Sequence, residues 1–215
     1  MKKIILQTLL LSAFIVIFGV ACNNQASNQS TSNTATKDTA MAMNSTDTSA
    51  AMADTGAKTA AITPSFAGLD PGAAASIKTI VDDYLQVKNA LAADNSSGAA
   101  TASQALYGAL TIDTTSFTAE QRAFYDRQEE DLKENAQHIG KSSDIAHQRM
   151  HFSLMSEDLY ALVKGFGGGR PLYHDHCPMY NDGKGALWIS ETADIKNPYL
   201  GGKMPDCGTV EEKIK

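Results

Sequence analysis

Residues 70–166 constrain the fold most, because their apolar residues recur with the period of an α-helix in four successive segments. Each segment begins with residues suited to a helix N-terminus. In chain order these are Asp70 with Pro71, Ser96 or Ser97, the capping box of Thr118 and Gln121, and the polar run Ser142, Ser143 and Asp144. Short connections between amphipathic helices favour antiparallel neighbours. The sequence therefore predicts a mainly α protein built as an up-and-down four-helix bundle.

The segment after Gly169 is different in kind, since it is rich in Gly, Pro, Asn and Asp. Ala186–Ser190 predicts one short strand, and Asn181-Asp182-Gly183 before it is typical of a hairpin turn. An irregular segment of this length is usually functional or held in place by a metal or a disulfide. We expect residues 66–215 to form one helical domain whose irregular C-terminal segment contains a short hairpin.

Residues 1–21 predict a lipoprotein signal peptide. Lys2 and Lys3 precede an apolar run over residues 4–20, and the run ends at Gly19-Val-Ala-Cys22. A Cys after a small residue resembles the lipobox of bacterial lipoproteins, in which the Cys is lipidated and becomes the mature N-terminus. Gly19 departs from the usual Leu, and an ordinary cleaved signal or an uncleaved anchor helix are the alternatives. We expect a periplasmic protein anchored by lipid on Cys22, in the outer membrane rather than the inner.

Residues 22–65 predict a disordered tether rich in Ser, Thr, Ala and Asn. From Cys22 to about Ala61 there is no Leu, Ile, Val or aromatic residue, so little apolar surface can offset the conformational entropy of folding. The whole chain has 18 Lys and Arg against 24 Asp and Glu, a net charge of −6. This balance gives no support for a nucleic-acid partner, which requires a basic face.

Soft and borderline metal ligands are concentrated in the second half of the chain. Thiolates, thioethers and imidazoles are the side chains that bind Cu(I) and Zn(II). Two histidines stand four residues apart on the fourth predicted helix, so they share one face and can hold one metal. All five histidines lie within residues 138–176. The candidate metal ligands are His147, His151, Cys177, Met179, Met204 and Cys207.

The two cysteines permit a second interpretation. Besides Cys22, Cys177 and Cys207 are the only thiols, and in an oxidising periplasm they can form a structural disulfide. Closing that loop would stabilise the fold by roughly 3–4 kcal/mol. Met179 and Met204 can equally fill gaps in a core. Spacing alone does not decide between a metal site and a disulfide.

Enzymatic motifs do not fit this chain. Residues 165–169 are glycine-rich, but they follow a helix and lack the Lys-Ser/Thr pair of a phosphate loop. The sequence has no G-x-S-x-G nucleophile elbow, and nothing singles out a base that would activate a cysteine nucleophile. We therefore expect a protein without enzymatic activity.

Several motifs together resemble an uncharacterised domain family, a domain of unknown function found in periplasmic lipoproteins and appended to adaptor subunits of heavy-metal and copper efflux systems. These motifs are Tyr84-Leu-Gln-Val-Lys-Asn-Ala-Leu91, Asp144-Ile-Ala-His-Gln-Arg-Met-His-Phe152, Leu159-Tyr-Ala-Leu-Val-Lys164, Cys177-Pro-Met179, Gly185-Ala-Leu-Trp-Ile-Ser190, Asn197-Pro-Tyr-Leu-Gly201 and Met204-Pro-Asp-Cys-Gly208. By position, the family's recurrent polar and sulfur residues fall on the six candidate ligands. Met150 stands where a Glu is more usual, and Tyr180 replaces a small residue.

The resemblance implies metal binding through its association with efflux. We expect a membrane-tethered protein that binds Cu(I), with zinc as a weaker competitor, and that buffers the ion or passes it to efflux-pump subunits. The alternative is a structural or interaction module of an envelope complex, clamped by a Cys177–Cys207 disulfide and without a metal.

Overall fold

The computed structural model describes residues 60–215, which form five helices and four strands around one core. The helices are α1 Pro71–Ala92, α2 Ser96–Ala109, α3 Ala119–Lys141, α4 Ile145–Phe166 and the single-turn α5 Tyr180–Gly183, and the strands are β1 Ala60–Ile62, β2 Leu172–Cys177, β3 Ala186–Ser190 and β4 Thr209–Ile214. The predicted signal peptide, the lipidation of Cys22 and most of the predicted tether lie outside the described residues. Within residues 60–215, no helix is both long and apolar enough to cross a membrane.

The predicted helix starts are confirmed by their hydrogen bonds. The Asp70 carboxylate accepts two backbone N–H groups in the first turn of α1, and Asp144 accepts one in α4. Thr118 and Gln121 form both halves of the capping box at the start of α3. Gly167, with φ of 77°, ends α4 in the left-handed region, where a glycine has no steric penalty.

The four long helices enclose the core. Each packs against the next in the chain, and α4 also contacts α1. Tyr84 of α1 stacks on Phe152 of α4 with ring centroids 5.0 Å apart, and both side chains are fully buried. Aromatic rings of Phe66, Phe117, Phe124 and Phe166 fill another part of the core. The prediction of a mainly α protein is confirmed.

The C-terminal segment is more regular than predicted, because it forms most of a small mixed sheet. The strand order is β1-β4-β2-β3, with β2 antiparallel to both β3 and β4, and β1 parallel to β4. The predicted strand Ala186–Ser190 is confirmed as β3, and it packs against α4 and α1. The sheet therefore covers one side of the helices.

The connection from β2 to β3 confirms the predicted hairpin. Asn181, Asp182 and Gly183 have φ angles of 54°, 55° and 81°, a region that Asn, Asp and Gly adopt more readily than other residues. They belong to the single turn α5 and not to a two-residue β-turn. The turn residues were thus located correctly, and the connection is longer than predicted.

The predicted boundary of the tether needs a correction. Residues 60–62, which the prediction assigned to the tether, form β1 and pair with residues 212–214 of β4. The backbone N–H groups of Ser65 and Phe66 then donate to the carbonyls of Lys164 and Gly165 at 3.0 and 2.9 Å. Residues 60–65 therefore belong to the fold, because distant strand and helix ends supply hydrogen-bond partners that local composition does not reveal.

Candidate metal centre

Three imidazoles lie together where the end of α3 meets the start of α4. His138 comes from α3, and His147 and His151 come from α4; one ring nitrogen from each lies within 4.8 Å of the other two. The rings of His138 and His151 are parallel, with centroids 4.2 Å apart, and the centroids of His147 and His151 are 4.6 Å apart. We call these three residues the histidine cluster.

The turn between α3 and α4 is held by a buried glutamine. Gln148 is fully buried, and its side-chain amide donates to the carbonyls of Ser142 at 2.7 Å and Ser96 at 2.9 Å, with a longer bond to Ile139 at 3.3 Å. Ile139 and Ser142 lie at the end of α3 and Ser96 begins α2, so Gln148 ties α4 to both helices. Because the turn is fixed, the backbone holds His138 opposite the two histidines of α4.

Asn135 orients one imidazole of the cluster. His151 Nδ1 is 2.9 Å from Asn135 Oδ1, while the amide nitrogen of Asn135 donates to the carbonyl of Asp131 at 2.9 Å. Since the amide oxygen can only accept, His151 Nδ1 bears the proton. This tautomer leaves the lone pair of Nε2 free, and an imidazole that donates its other N–H to a fixed acceptor is the usual arrangement of a metal-binding histidine.

Electrostatics favour the neutral form of His151. Burial lowers the pKa of His151, and the neighbouring imidazoles His138 and His147 lower it further, while the charge of Glu134 opposes them. A histidine must be neutral to bind a metal. The lowered pKa of His151 therefore favours the form of this residue that can bind a metal.

An acidic groove of about 340 Å³ adjoins the cluster. His151 and Asn135 line it together with Asp131, Glu134, Glu157 and Asp158. Burial raises the pKa of Asp158 to about 6, and the charges of Asp131 and Glu157 raise it as well. Glu134 Oε1 lies 3.9 Å from His138 Nε2. The opening beside the imidazoles thus has a negative potential that attracts cations.

The two cysteines approach each other at a different place. Cys177 ends β2, Cys207 precedes β4, and their sulfurs are 3.1 Å apart. Cys177 is buried and Cys207 half-buried. The hydrogen bond with Cys177 raises the pKa of the Cys207 thiol, and burial adds to this effect. The two residues are free thiols in contact, because the distance between their sulfurs exceeds the roughly 2.05 Å of a disulfide bond.

The six predicted ligands do not form one site in the described part of the chain. His147 and His151 point to α3, whereas Arg149, about 200° around α4 from both, donates to the Pro198 carbonyl of the C-terminal segment at 2.8 Å. The histidines therefore face away from that segment. Met179 and Met204 are 60% and 45% exposed. The structure brings His147 together with His151, and Cys177 together with Cys207, as two separate groups.

The two remaining histidines lie beside carboxylates on the sheet. His174 stacks on Tyr160 with centroids 4.2 Å apart, and its Nδ1 is 3.2 Å from Glu212. His176 Nδ1 is 3.6 Å from Glu211. Neither imidazole joins the histidine cluster.

Sequence reasoning did not select His138 as a ligand. A usable indication was present, since His138 and His147 are equally far along the chain from the turn at Ser142 and Ser143. In an antiparallel helical hairpin, residues equidistant from the turn lie opposite each other. The i, i+4 spacing of His147 and His151 is visible in the sequence because both residues lie on one helix. The contact with His138 joins two different helices, so no local spacing reveals it.

Comparison with known proteins gives one similarity. The profile of a family described as "Protein of unknown function (DUF3347)" matches residues 80–170. This range contains all three histidines of the cluster and neither cysteine of the pair. No match was found among curated proteins or among solved structures. The chain is therefore similar to a domain of unknown function over most of its helical part.

Proposed function

We propose that this protein is a periplasmic lipoprotein whose up-and-down helical bundle binds copper or a related heavy-metal ion such as zinc. It buffers the ion or passes it to an efflux system, and it catalyses no reaction. The observation that supports this proposal best is the histidine cluster, in which three ring nitrogens lie within 4.8 Å of one another.

The geometry of the cluster suits a transition metal after a small adjustment. A tetrahedral ion with bonds of about 2.0–2.1 Å holds its ligand atoms roughly 3.3 Å apart. The three ring nitrogens need to approach by about 1–1.5 Å, a distance that rotation of histidine side chains can supply. His138 is 46% exposed, so an ion can enter and leave from solvent. Such exchange is what buffering or transfer requires.

The ligand types also indicate which ion binds. Imidazole nitrogens bind copper, zinc and nickel, and among divalent ions copper binds most tightly at a given site. The thiolate and thioether ligands that favour Cu(I) are not part of the cluster. We therefore assign divalent copper or zinc to the histidines, and we assign the tight binding of Cu(I) to the cysteine pair in its reduced state.

The metal proposal is tested by titrating metal-free protein with Zn²⁺ and Cu²⁺ in competition with a chromophoric chelator. His138→Ala, His147→Ala and His151→Ala should each weaken binding by about tenfold or more, because each removes a direct ligand. His176→Ala is the matched control, since it removes an imidazole of β2 that lies beside Glu211 of β4. If the three cluster variants bind both ions as tightly as the parent, the proposal is wrong.

The lipid anchor has its own test. Cys22→Ser removes the only residue that the lipobox would lipidate, so the protein should move from the membrane fraction to the soluble periplasmic fraction. If the variant still sediments with membranes at high salt, lipid on Cys22 is not the anchor.

The 3.1 Å separation of the cysteine sulfurs favours a second candidate function. In this alternative the protein is a structural or interaction module of an envelope complex, clamped by a Cys177–Cys207 disulfide. A free-thiol count on protein isolated from the periplasm, with and without reductant, measures the clamp. The alternative is preferred if the thiols are oxidised and the histidine variants show no effect on metal binding.

A further inference from the structure

We propose that Glu134 supplies the fourth ligand of the histidine cluster, so that the site selects a divalent ion over Cu(I). This inference rests on the proposed function and names the ion class of that same site. It assigns a role to a carboxylate that no motif in the sequence marks.

The position of Glu134 matches that of the histidines. On α3, Glu134 precedes His138 by four residues, as His147 precedes His151 on α4. Residues four apart share one helix face, so each helix presents a pair of ligands to the other. Glu134 Oε1 lies 3.9 Å from His138 Nε2, next to the group of three ring nitrogens but not within 4.8 Å of all of them.

Glu134 is also free to move into the site. Its side chain is 68% exposed, and its one ion-pair contact among residues 60–215 is with His138. Glu129, one turn and a residue earlier, is instead bound to Lys133. Glu134 also lines the acidic groove together with His151. Glu134 is therefore the carboxylate that borders two imidazoles of the cluster.

A carboxylate at this place determines which ions bind well. A tetrahedral site holds its ligand atoms roughly 3.3 Å apart, so the Glu134 side chain has to rotate toward the imidazoles, which its exposed position allows. Three imidazoles and one carboxylate suit Zn²⁺ and Cu²⁺, whereas Cu(I) prefers soft sulfur ligands. Removing the carboxylate should therefore weaken the divalent ions and leave Cu(I) at the imidazoles nearly unaffected.

The experiment compares three variants of the full chain. Glu134→Gln keeps the shape of the side chain at an exposed position, so the fold should be preserved, as the far-UV circular dichroism spectrum checks. We expect its Zn²⁺ affinity to fall by about tenfold or more, with Cu(I) affinity, measured with Cys177 and Cys207 blocked by alkylation, within about threefold of the parent. Glu130→Gln removes the same charge one turn earlier on α3 and should change Zn²⁺ affinity by less than about threefold, because exposed charges are screened. His147→Ala is the reference for loss of a ligand.

The possible results separate this inference from the proposed function. If Glu134→Gln binds Zn²⁺ like the parent while His147→Ala has lost affinity, Glu134 is not a ligand and the histidine site stands. If Glu130→Gln weakens zinc as much as Glu134→Gln does, or if Glu134→Gln weakens Cu(I) equally, the effect is one of general charge and the inference is overturned. If His147→Ala also binds like the parent, the proposed function itself fails.

Discussion

Asp175 should make the stability of this protein fall as the pH rises. The residue lies in β2, is fully buried, and accepts no hydrogen bond on either carboxylate oxygen. Burial raises its pKa to about 7; Lys88 opposes this shift and Glu191 adds to it. The indole N–H of Trp188, its cross-strand neighbour, lowers the pKa slightly but does not reach hydrogen-bonding geometry.

The size of the effect follows from the two pKa values. The carboxyl has an ordinary pKa of 3.8 and a folded-state pKa of about 7. Between these values the unfolded chain releases the proton and the folded protein retains it, so the free energy of unfolding decreases as pH rises through this window. For one such group, the loss between about pH 5 and about pH 8 is on the order of 2.5 kcal/mol. Asp175→Asn is neutral at every pH and removes this loss.

The assay is urea unfolding of the parent and Asp175→Asn at both pH values. The two proteins share all their other titrating groups. The difference between their changes in the free energy of unfolding with pH therefore reports the contribution of Asp175. Asp206→Asn, at an exposed position, controls for the loss of one negative charge. We expect Asp175→Asn to retain about 2.5 kcal/mol more stability than the parent on going to the higher pH. If the free energies of unfolding of the parent and Asp175→Asn change in parallel with pH, Lys88 fully compensates the charge of the buried carboxylate. The predicted effect of burial on the pKa of Asp175 would then be wrong.

Three further changes have defined outcomes. Gly165→Ala should lower the free energy of unfolding by about 1–3 kcal/mol in a urea titration, because the added Cβ would overlap the ring of Phe124; unchanged stability would mean that the ring moves aside freely. Asn135→Leu should weaken Zn²⁺ binding by about 10–100-fold, since the Nδ1–H acceptor of His151 is lost, whereas an unaltered affinity would remove Asn135 from the site. Oxidation of Cys177 and Cys207 should raise the free energy of unfolding by about 3–4 kcal/mol, as judged by unfolding with and without reductant, and Cys207→Ser should abolish the difference.

The helices could be predicted because their determinants are local. Thr118 and Gln121 are three residues apart and make the capping box by themselves. Asp70 caps α1 through two adjacent N–H groups. In both cases the residues that determine the helix start lie within one turn of it, so a single sequence contains the full indication.

The sheet could be predicted only in part because its pairing is distant. β3 was found since Ala186–Ser190 is apolar and follows a turn motif. β2 has the sequence Leu-Tyr-His-Asp-His-Cys, with burial that does not alternate along the strand, and a register shift between His174 and Asp175 interrupts its pairing with β4. β1 has three residues and pairs only with β4, at the other end of the described chain. No local pattern marks such strands.

The sequence marks the residue types of the candidate site but does not show that the imidazoles and the thiols lie in two separate places. Cys177 and Cys207 are rare residues in this sequence, and the 3.1 Å between their sulfurs agrees with both interpretations of the pair, a disulfide or a shared metal site. What the sequence did not reveal is which face of α4 that segment covers. Arg149 faces it and binds Pro198, so His147, on the opposite face, can meet only α3. Because the imidazoles belong to α3 and α4 and the thiols to the C-terminal segment, the metal binding proposed for the histidines would not require the cysteines to be reduced.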